Sequence, residues 1–379
     1  MTHSIGDRLK AVANGLIKRV PQTRQTFRIG LYFGKDSLNL VQMQGSSGQA
    51  TIRAIAALPY GCTRDEILQR PPVLKGLLRQ AYAAQPFKGK NVVSCLPAKA
   101  IKITTVSYKP KKDQTDSQAL VAELHDRLHD ELNNMVLDFM PLRYEQDQVN
   151  NSEALVALAP RQTVMSYLEL LTNAGLEVDA LDVGPAALAR LVRHSAARGW
   201  QEFPLAPNTL LVNIGANSGF LTLLWGRRLI LDRAVDFSEN RLLARLKQVL
   251  NLPQDLAERL LYGMDAAMTD QEETHRMIAE VLRPDIALLL QEINKTLVYM
   301  ASKTHGKSID VLYLASGAAR YSRVLGGLQE QLRVPVELIN PVSIFASEQA
   351  RPTLDLALGV KPGITLATGL ALRGVSERG

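Results

Sequence analysis

"TLLVNIGANSGFLTLLWGRRLILDRAV", residues 209–235, decides the fold. Apolar runs stand on either side of a short polar break at Gly215, Ala216, Asn217 and Ser218. The stretch therefore predicts a strand, a tight turn and a second strand, with a third strand closing at Val235. A hairpin tip of this composition can point successive backbone N–H groups and a hydroxyl inward, making a nest for phosphate oxygens. Glycine lets a ligand approach the backbone closely. Gly and Ser are also ordinary hairpin residues, so one tip alone says little.

The pattern has a second copy upstream. "FRIGLYFGKDSLNLVQMQ" (27–44) and "ATIRAIAALPYG" (50–61) again read as strand, turn, strand, turn, strand. Gly34 falls over Gly215 and Ser37 over Ser218, and Arg53-Ala54-Ile55 aligns with Arg233-Ala234-Val235 in the third strands. The copies lie 181 positions apart (215 minus 34), too far for a solenoid repeat. That spacing suits two related halves of a bilobal protein, each opening on an antiparallel hairpin.

The intervening patterns are mixed α/β. A helix is expected over 68–84, two strands over 91–108, a charged helix over 113–134, and strands over 136–146 and 153–160. A helix over 161–175, then a strand and a helix starting near Pro185, complete the first half. Beyond the second hairpin, helices are expected over 239–250, 254–262 and 273–304. A strand, Ser-Gly turn, helix and strand follow over 308–341, and "GITLATGLALRG" (363–374) forms a closing apolar helix packed on the core.

Of the 379 residues, 46% are apolar and 21% charged, the composition of an ordinary globular chain. Cys62 and Cys95 are the only cysteines, which excludes a disulfide framework and fits a reducing compartment. No apolar run reaches the roughly 18–20 residues that span a bilayer, and no secretory signal stands at the N-terminus, so a cytoplasmic location is expected. The net charge of +7 is scattered, without the aromatic–basic interleaving of a nucleic-acid surface. Residues 5–20 read as a short basic amphipathic helix, suited to a membrane surface, a partner or its own domain.

Taken in order, the tips at Gly34 and Gly215 and the turn in "LYLASGAARYSRVLGGL" (312–328) resemble the actin, hexokinase and Hsp70-type ATPase fold. "VLDFMPL" (136–142), "LEVDALDVGPAALARL" (176–191), "VELINP" (336–341) and "ATGLALRGV" (367–375) are similar, in order and spacing, to the PilM family of type IV pilus assembly proteins. The resemblance runs over about residues 27–375. It also extends to FtsA and to the cytoplasmic part of the type II secretion L protein. It implies a bilobal α/β fold with a small subdomain inserted in the first lobe. The corresponding division is an N-terminal helix and linker (1–26), first-lobe core (27–90 and 148–205), inserted subdomain (91–147), second lobe (206–350), and a C-terminal helix returning to the first lobe (351–379). It further implies a partner, the cytoplasmic tail of an inner-membrane PilN-like protein, held in a groove beside the subdomain. The groove residues themselves are not readable from the sequence.

The same resemblance places an ATP or ADP site at Gly34, Lys35, Asp36 and Ser37; at Asn213, Gly215, Ala216, Asn217 and Ser218; and at Glu258, Ser316, Gly317 and Ala318. This chain departs from the pattern at several points. Active members carry an acid two positions before each tip glycine, to hold Mg²⁺ through water. Those positions are Tyr32 and Asn213 here. Ser238 and Glu239 replace two glycines, and the ribose lysine falls on Leu261 or Arg259. Phosphoryl transfer needs the metal to neutralise developing charge. The expected function is therefore a scaffold with a degenerate cleft, without a firm cofactor and without catalytic residues. The alternatives are an active Mg-ATP-dependent actin-like ATPase, or a small-molecule kinase using Asp182 or Asp232 as base. His125 and His129 stand one helical turn apart in "ELHDRLHDEL", a zinc-compatible spacing that a solvated charged helix face explains better.

Overall fold

The computed structural model describes residues 25–45, 50–110, 113–142, 152–196, 207–262, 271–316, 322–346, 362–373 and 375. The expected N-terminal helix at 5–20, together with Gly317 and Ala318, lies outside them. Three strands open the fold: β1 (Gln25–Phe33), β2 (Ser37–Gly45) and β3 (Thr51–Pro59). Helices α1 (Arg64–Ile67) and α2 (Pro71–Ala84), strand β4 (Asn91–Cys95) and strand β5 (Lys102–Tyr108) follow. Next come α3 (Asp116–Leu128), β6 (Met135–Leu142), β7 (Ser152–Pro160), α4 (Arg161–Asn173), β8 (Glu177–Asp182) and α5 (Gly184–Ala196).

The second half repeats the opening with β9 (Thr209–Ile214), β10 (Gly219–Trp225) and β11 (Arg228–Val235). It continues with α6 (Glu239–Leu250), α7 (Gln254–Tyr262), α8 (Gln271–Lys303), β12 (Val311–Ser316), α9 (Ser322–Gln331), β13 (Val336–Leu338), α10 (Pro341–Phe345) and α11 (Pro362–Ala371).

The two large sheets have the same layout. One runs β3-β2-β1-β4-β8, the other β11-β10-β9-β12-β13. In each, the first three strands form an antiparallel meander and the last two pair in parallel. Strands buried on both faces alternate their apolar side chains between two cores. Leu210, Val212 and Ile214 face a second-lobe core with Leu243, Leu246 and Leu282, whereas Leu211 faces a core shared by both lobes. That shared core is a middle layer of α5 and α11, with Val41 and Val93 from one sheet and Tyr313 and Ala315 from the other.

The closing helix packs back as expected, and glycine is what lets it. A Cβ on Gly30 of β1 would sit 1.9 Å from the Ala367 carbonyl oxygen, and one on Gly369 would sit 2.2 Å from that of Ala187 in α5. Both positions admit backbone where a side chain would stand.

A third, antiparallel sheet has the order β5-β7-β6 and carries α3 through Val106, Leu120, Leu124 and Val156. Its strands come from residues 102–160, so the division drawn at 91–147 cuts across two sheets. β4 pairs within the first large sheet, and β7 is the centre of the small one. Two further readings are corrected. The helix expected over 113–134 ends at Leu128, where His129 takes a positive φ of 47° and a 3₁₀ turn, His129–Asn134, follows. The third-strand alignment is off by three residues: Leu40 pairs with Ala56 as Leu221 pairs with Arg233, so Ala56-Ala57-Leu58 matches Arg233-Ala234-Val235. The connection from β2 to β3 is longer than the two-residue turn at Gly226, which has a φ of 54°. Among the described residues no helix is long and apolar enough to cross a membrane.

Candidate functional site

Both hairpin tips close with the same bond. The Gly34 amide donates to the Ser37 carbonyl at 2.9 Å, and the Gly215 amide to the Ser218 carbonyl at 3.0 Å. Their surroundings differ. At the second tip, helix α6 begins against the turn itself. Its first two amides, Glu239 and Asn240, donate to the Gly215 and Ala216 carbonyls at 3.0 Å each. Ser238 caps the helix, its hydroxyl accepting from the Arg241 amide at 3.2 Å. The two residues that stand in place of glycines are thus a cap and a first turn. Glu239 is buried in that position.

At the first tip, Tyr60 takes the corresponding part. Its amide donates to the Asp36 carbonyl at 3.0 Å and its hydroxyl to the Gly34 carbonyl at 3.3 Å. Asp36 is exposed and accepts from the Ser37 hydroxyl at 3.0 Å. The lobes meet between the tips, where Lys35 Nζ donates to Asn240 Oδ1 at 3.0 Å and Asn240 Nδ2 to Asn217 Oδ1 at 2.7 Å.

Tyr32 lies at the carboxyl end of β1, partly buried against the shared core. Burial holds its hydroxyl far above the usual range. Asn213, at the matching place on β9, pairs with Phe220 and Ala315 in the sheet. β12 brings Ser316 into register with Ile214, one residue before the tip glycine. The expected third turn thus starts beside the second tip. Glu258 accepts from Gln254 one turn earlier in α7. Leu261 is fully buried in the second-lobe core and Arg259 is exposed.

The two acids considered as kinase bases are both engaged. Asp182 accepts from Arg190 at 2.9 Å and from the Val183 amide at 2.8 Å, and pairs with Arg373 at 3.1 Å. Asp232 is buried and accepts from the Thr222 hydroxyl at 2.6 Å, with burial pushing its pKa up to about 7. His125 lies on the exposed face of α3, and among the described residues no group of three His, Cys, Asp or Glu side chains is placed to hold a metal. Cys95 is buried and Cys62 half-buried.

Sequence reasoning missed a cavity of about 330 Å³ where the small sheet joins the first lobe. Leu68, Leu96, Pro97, Ala100 and Tyr167 make its apolar walls, with Lys99, Gln162, Thr163 and Ser166 among the rest of the lining. It forms because the β4–β5 connection crosses from one sheet to the other while α4 leaves β7 at the same junction. Tyr167 is fixed there: its hydroxyl donates to the Cys95 carbonyl at 3.1 Å and lies 2.7 Å from the Ser94 hydroxyl. Ser94 in turn donates to the Leu31 carbonyl at 2.8 Å. The Phe33 ring stands edge-on to Tyr167 at 5.9 Å. Lys99 is tied to Asp65 at 2.6–2.7 Å, which fixes α1 beside the cavity. A more open depression of about 540 Å³ lies on the outer face of α3, around Val121 and His125.

The family model "Type IV pilus assembly protein PilM" matches residues 30–375, and the chain belongs to that family. A solved "PilM-PilN type IV pilus biogenesis complex" is 25% identical, covering 92% of this chain and 98% of that one with a TM-score of 0.70. The ethanolamine utilization protein EutJ from Carboxydothermus hydrogenoformans shares the fold at 13% identity, covering 97% of each chain with a TM-score of 0.53. The fold is the actin-like ATPase fold, with two mixed sheets and a small antiparallel subdomain sheet.

Proposed function

We propose that this member of the PilM family is a cytoplasmic scaffold at the inner face of the inner membrane, holding the tail of a PilN-like protein in the cavity between the first lobe and the small sheet. The observation that carries this reading is the cavity itself. It is apolar-walled, set beside the inserted subdomain, and built on a hydrogen-bonded floor at Tyr167. The solved relative with which the chain shares nearly its whole length is a PilM–PilN complex.

The cleft supports a non-catalytic role. A divalent cation on a triphosphate needs oxygen ligands of negative charge nearby. The residues two before each tip glycine are Tyr32 and Asn213. The first amides of α6 are spent on the carbonyls of the second tip, and the Lys35–Asn240–Asn217 chain spans the space between the tips. The residues present do not fit a metal-bound nucleotide of the active type, and no hydrolytic step is assigned to them.

Fluorescence anisotropy with a labelled peptide of the cognate PilN-like cytoplasmic tail tests the partner site. Saturable one-to-one binding is expected to the native chain. Ser166→Trp, at an exposed position on the cavity rim, should abolish it. A folded native chain that leaves the peptide free contradicts the reading.

A further inference from the structure

We propose that the face carrying the amino ends of both large sheets docks on a bilayer of anionic phospholipid. Basic residues that are scattered along the sequence gather there in the fold. β1 and β4 run parallel away from this face, towards the first hairpin tip. Gln42 straps the α2–β4 connection to the start of β1. Its Nε2 donates to the Phe27 and Lys88 carbonyls at 2.9 and 2.7 Å, and its Oε1 accepts from the Lys88 amide at 2.8 Å. Arg53, Lys88 and Lys90 stand on this side of the first lobe, the two lysines exposed. The Arg53 guanidinium donates to the Pro86 carbonyl and to Gln44 Oε1 at 3.0 Å each, both neutral acceptors.

The second lobe meets the same face. The β10–β11 turn sits over the amino ends of β9 and β12: the Gly226 amide donates to Asn208 Oδ1 at 3.0 Å, and the Asp310 amide to the Asn208 carbonyl at 2.8 Å. Helix α5 returns from the carboxyl end of β8, and Arg193 near its end donates to the Arg227 carbonyl at 2.9 Å. The face is therefore continuous between the lobes and lies opposite the tips. The turn exposes Arg227 and Arg228, and Lys307 holds its ammonium 5.2 Å from the centre of the Trp225 ring. The acids that share the face are taken up in part. Asp179 pairs with Arg28 and accepts from Asn91, and Asp310 accepts from the Asn208 amide. Glu177 stands beside Lys90, its amide donating to the Lys90 carbonyl. A tryptophan flanked by cations suits a headgroup layer, where the ring meets the apolar side and the charges meet phosphates.

The chain also enters the fold here, Gln25 of β1 pairing with Gly45. The 24 residues ahead of it carry five Lys or Arg against one Asp, more than half of the net charge of +7. Ile5, Leu9, Val12 and Leu16 recur among them at helical spacing, an apolar component that a bilayer takes up and a nucleic acid does not. Each Lys or Arg brought within a Debye length of an anionic leaflet adds to the attraction.

The inference rests on the membrane location proposed above but not on the tail site, since the chain is tested without peptide. Flotation of the full chain with vesicles of phosphatidylcholine alone, and of phosphatidylcholine with phosphatidylglycerol, is the test. Binding is expected only to the second, weakening as salt rises. Arg227→Gln with Arg228→Gln should lower the partition coefficient about tenfold or more, and Lys88→Gln with Lys90→Gln likewise, with Tm measured to show each variant folded. Lys35→Gln, at an exposed cation on the opposite end, should leave it unaltered. A native chain that ignores phosphatidylglycerol vesicles, or binding that survives both double substitutions unchanged, overturns the docking face. Tighter binding to duplex DNA than to these vesicles at equal salt overturns the choice of partner. The peptide titration, run on the same preparation, tells a failure here from a failure of the tail site.

Discussion

The two hairpin tips share a turn, a hydrogen bond and a place in identically ordered sheets, yet they are closed by different means. The second tip is sealed by its own lobe, where α6 spends two amides on Gly215 and Ala216. The first tip is braced by Tyr60, whose hydroxyl donates to the Gly34 carbonyl. The two lobes share the backbone geometry, because sheet order and turn bonds depend on packing that both lobes need. They do not share the chemistry at the tips, which depends on single side chains.

The middle layer, where the two halves are most alike in demand, is where damage should be greatest. Gly30→Ala and Gly369→Ala each force a methyl into a backbone carbonyl and should cost at least about 3 kcal/mol by denaturant unfolding. Gly76→Ala, exposed on α2 with open space around it, should instead gain up to about 1 kcal/mol. If all three behave alike, close approach of α11 is not what makes the first two glycines necessary.

The next effect breaks the symmetry of the sheets through pH. Asp232 faces Thr222 in the second sheet, and its folded pKa of about 7 lies above the unfolded carboxylate value. The native state therefore holds the proton more tightly. This stabilisation is complete below the unfolded value and is lost as pH rises through about 7. Asp232→Asn should equal the native chain near pH 4 and exceed it by a few kcal/mol at pH 8, at about 1.4 kcal/mol for each unit by which the pKa is raised. A pH-independent difference between the two chains would remove the buried ionisation from the account.

Smaller effects probe each lobe's local bracing. Tyr167→Phe leaves the Cys95 carbonyl without its hydroxyl donor and should cost about 1 kcal/mol, while peptide affinity at the cavity falls. Lys35→Ala cuts the one side-chain bond that the first tip sends to α6 among the described residues. This exposed contact is worth less than about 0.5 kcal/mol, so Tm should hardly move. A large loss there would make the interlobe contact a main support of the fold.

Much of this architecture was legible in the residues. The paired Gly and Ser at the tips, the strand patterns around them and the apolar C-terminal helix led to two lobes and a closing helix packed on the core. The third-strand register was not legible. Pairing is set by turn length, and the β2–β3 connection is longer than the turn at Gly226, so aligning Arg53 with Arg233 by identity misled by three residues. The subdomain edge was drawn too early because the two strands expected over 91–108 were assigned to one unit, although β4 and β5 enter different sheets. The cavity could not be read at all. Its walls come from Leu68, from 96–100 and from 162–167, and only the fold makes them neighbours.

The central claim is that this actin-like fold is kept for holding a protein tail and not for turning over a nucleotide. Isothermal titration of the full chain with the PilN-like peptide, in EDTA and again in Mg-ATP, tests it most directly. The account predicts one-to-one binding in EDTA, lost in Ser166→Trp, with no hydrolysis of ATP in the second arm. Binding that requires Mg-ATP and is accompanied by its hydrolysis would contradict it.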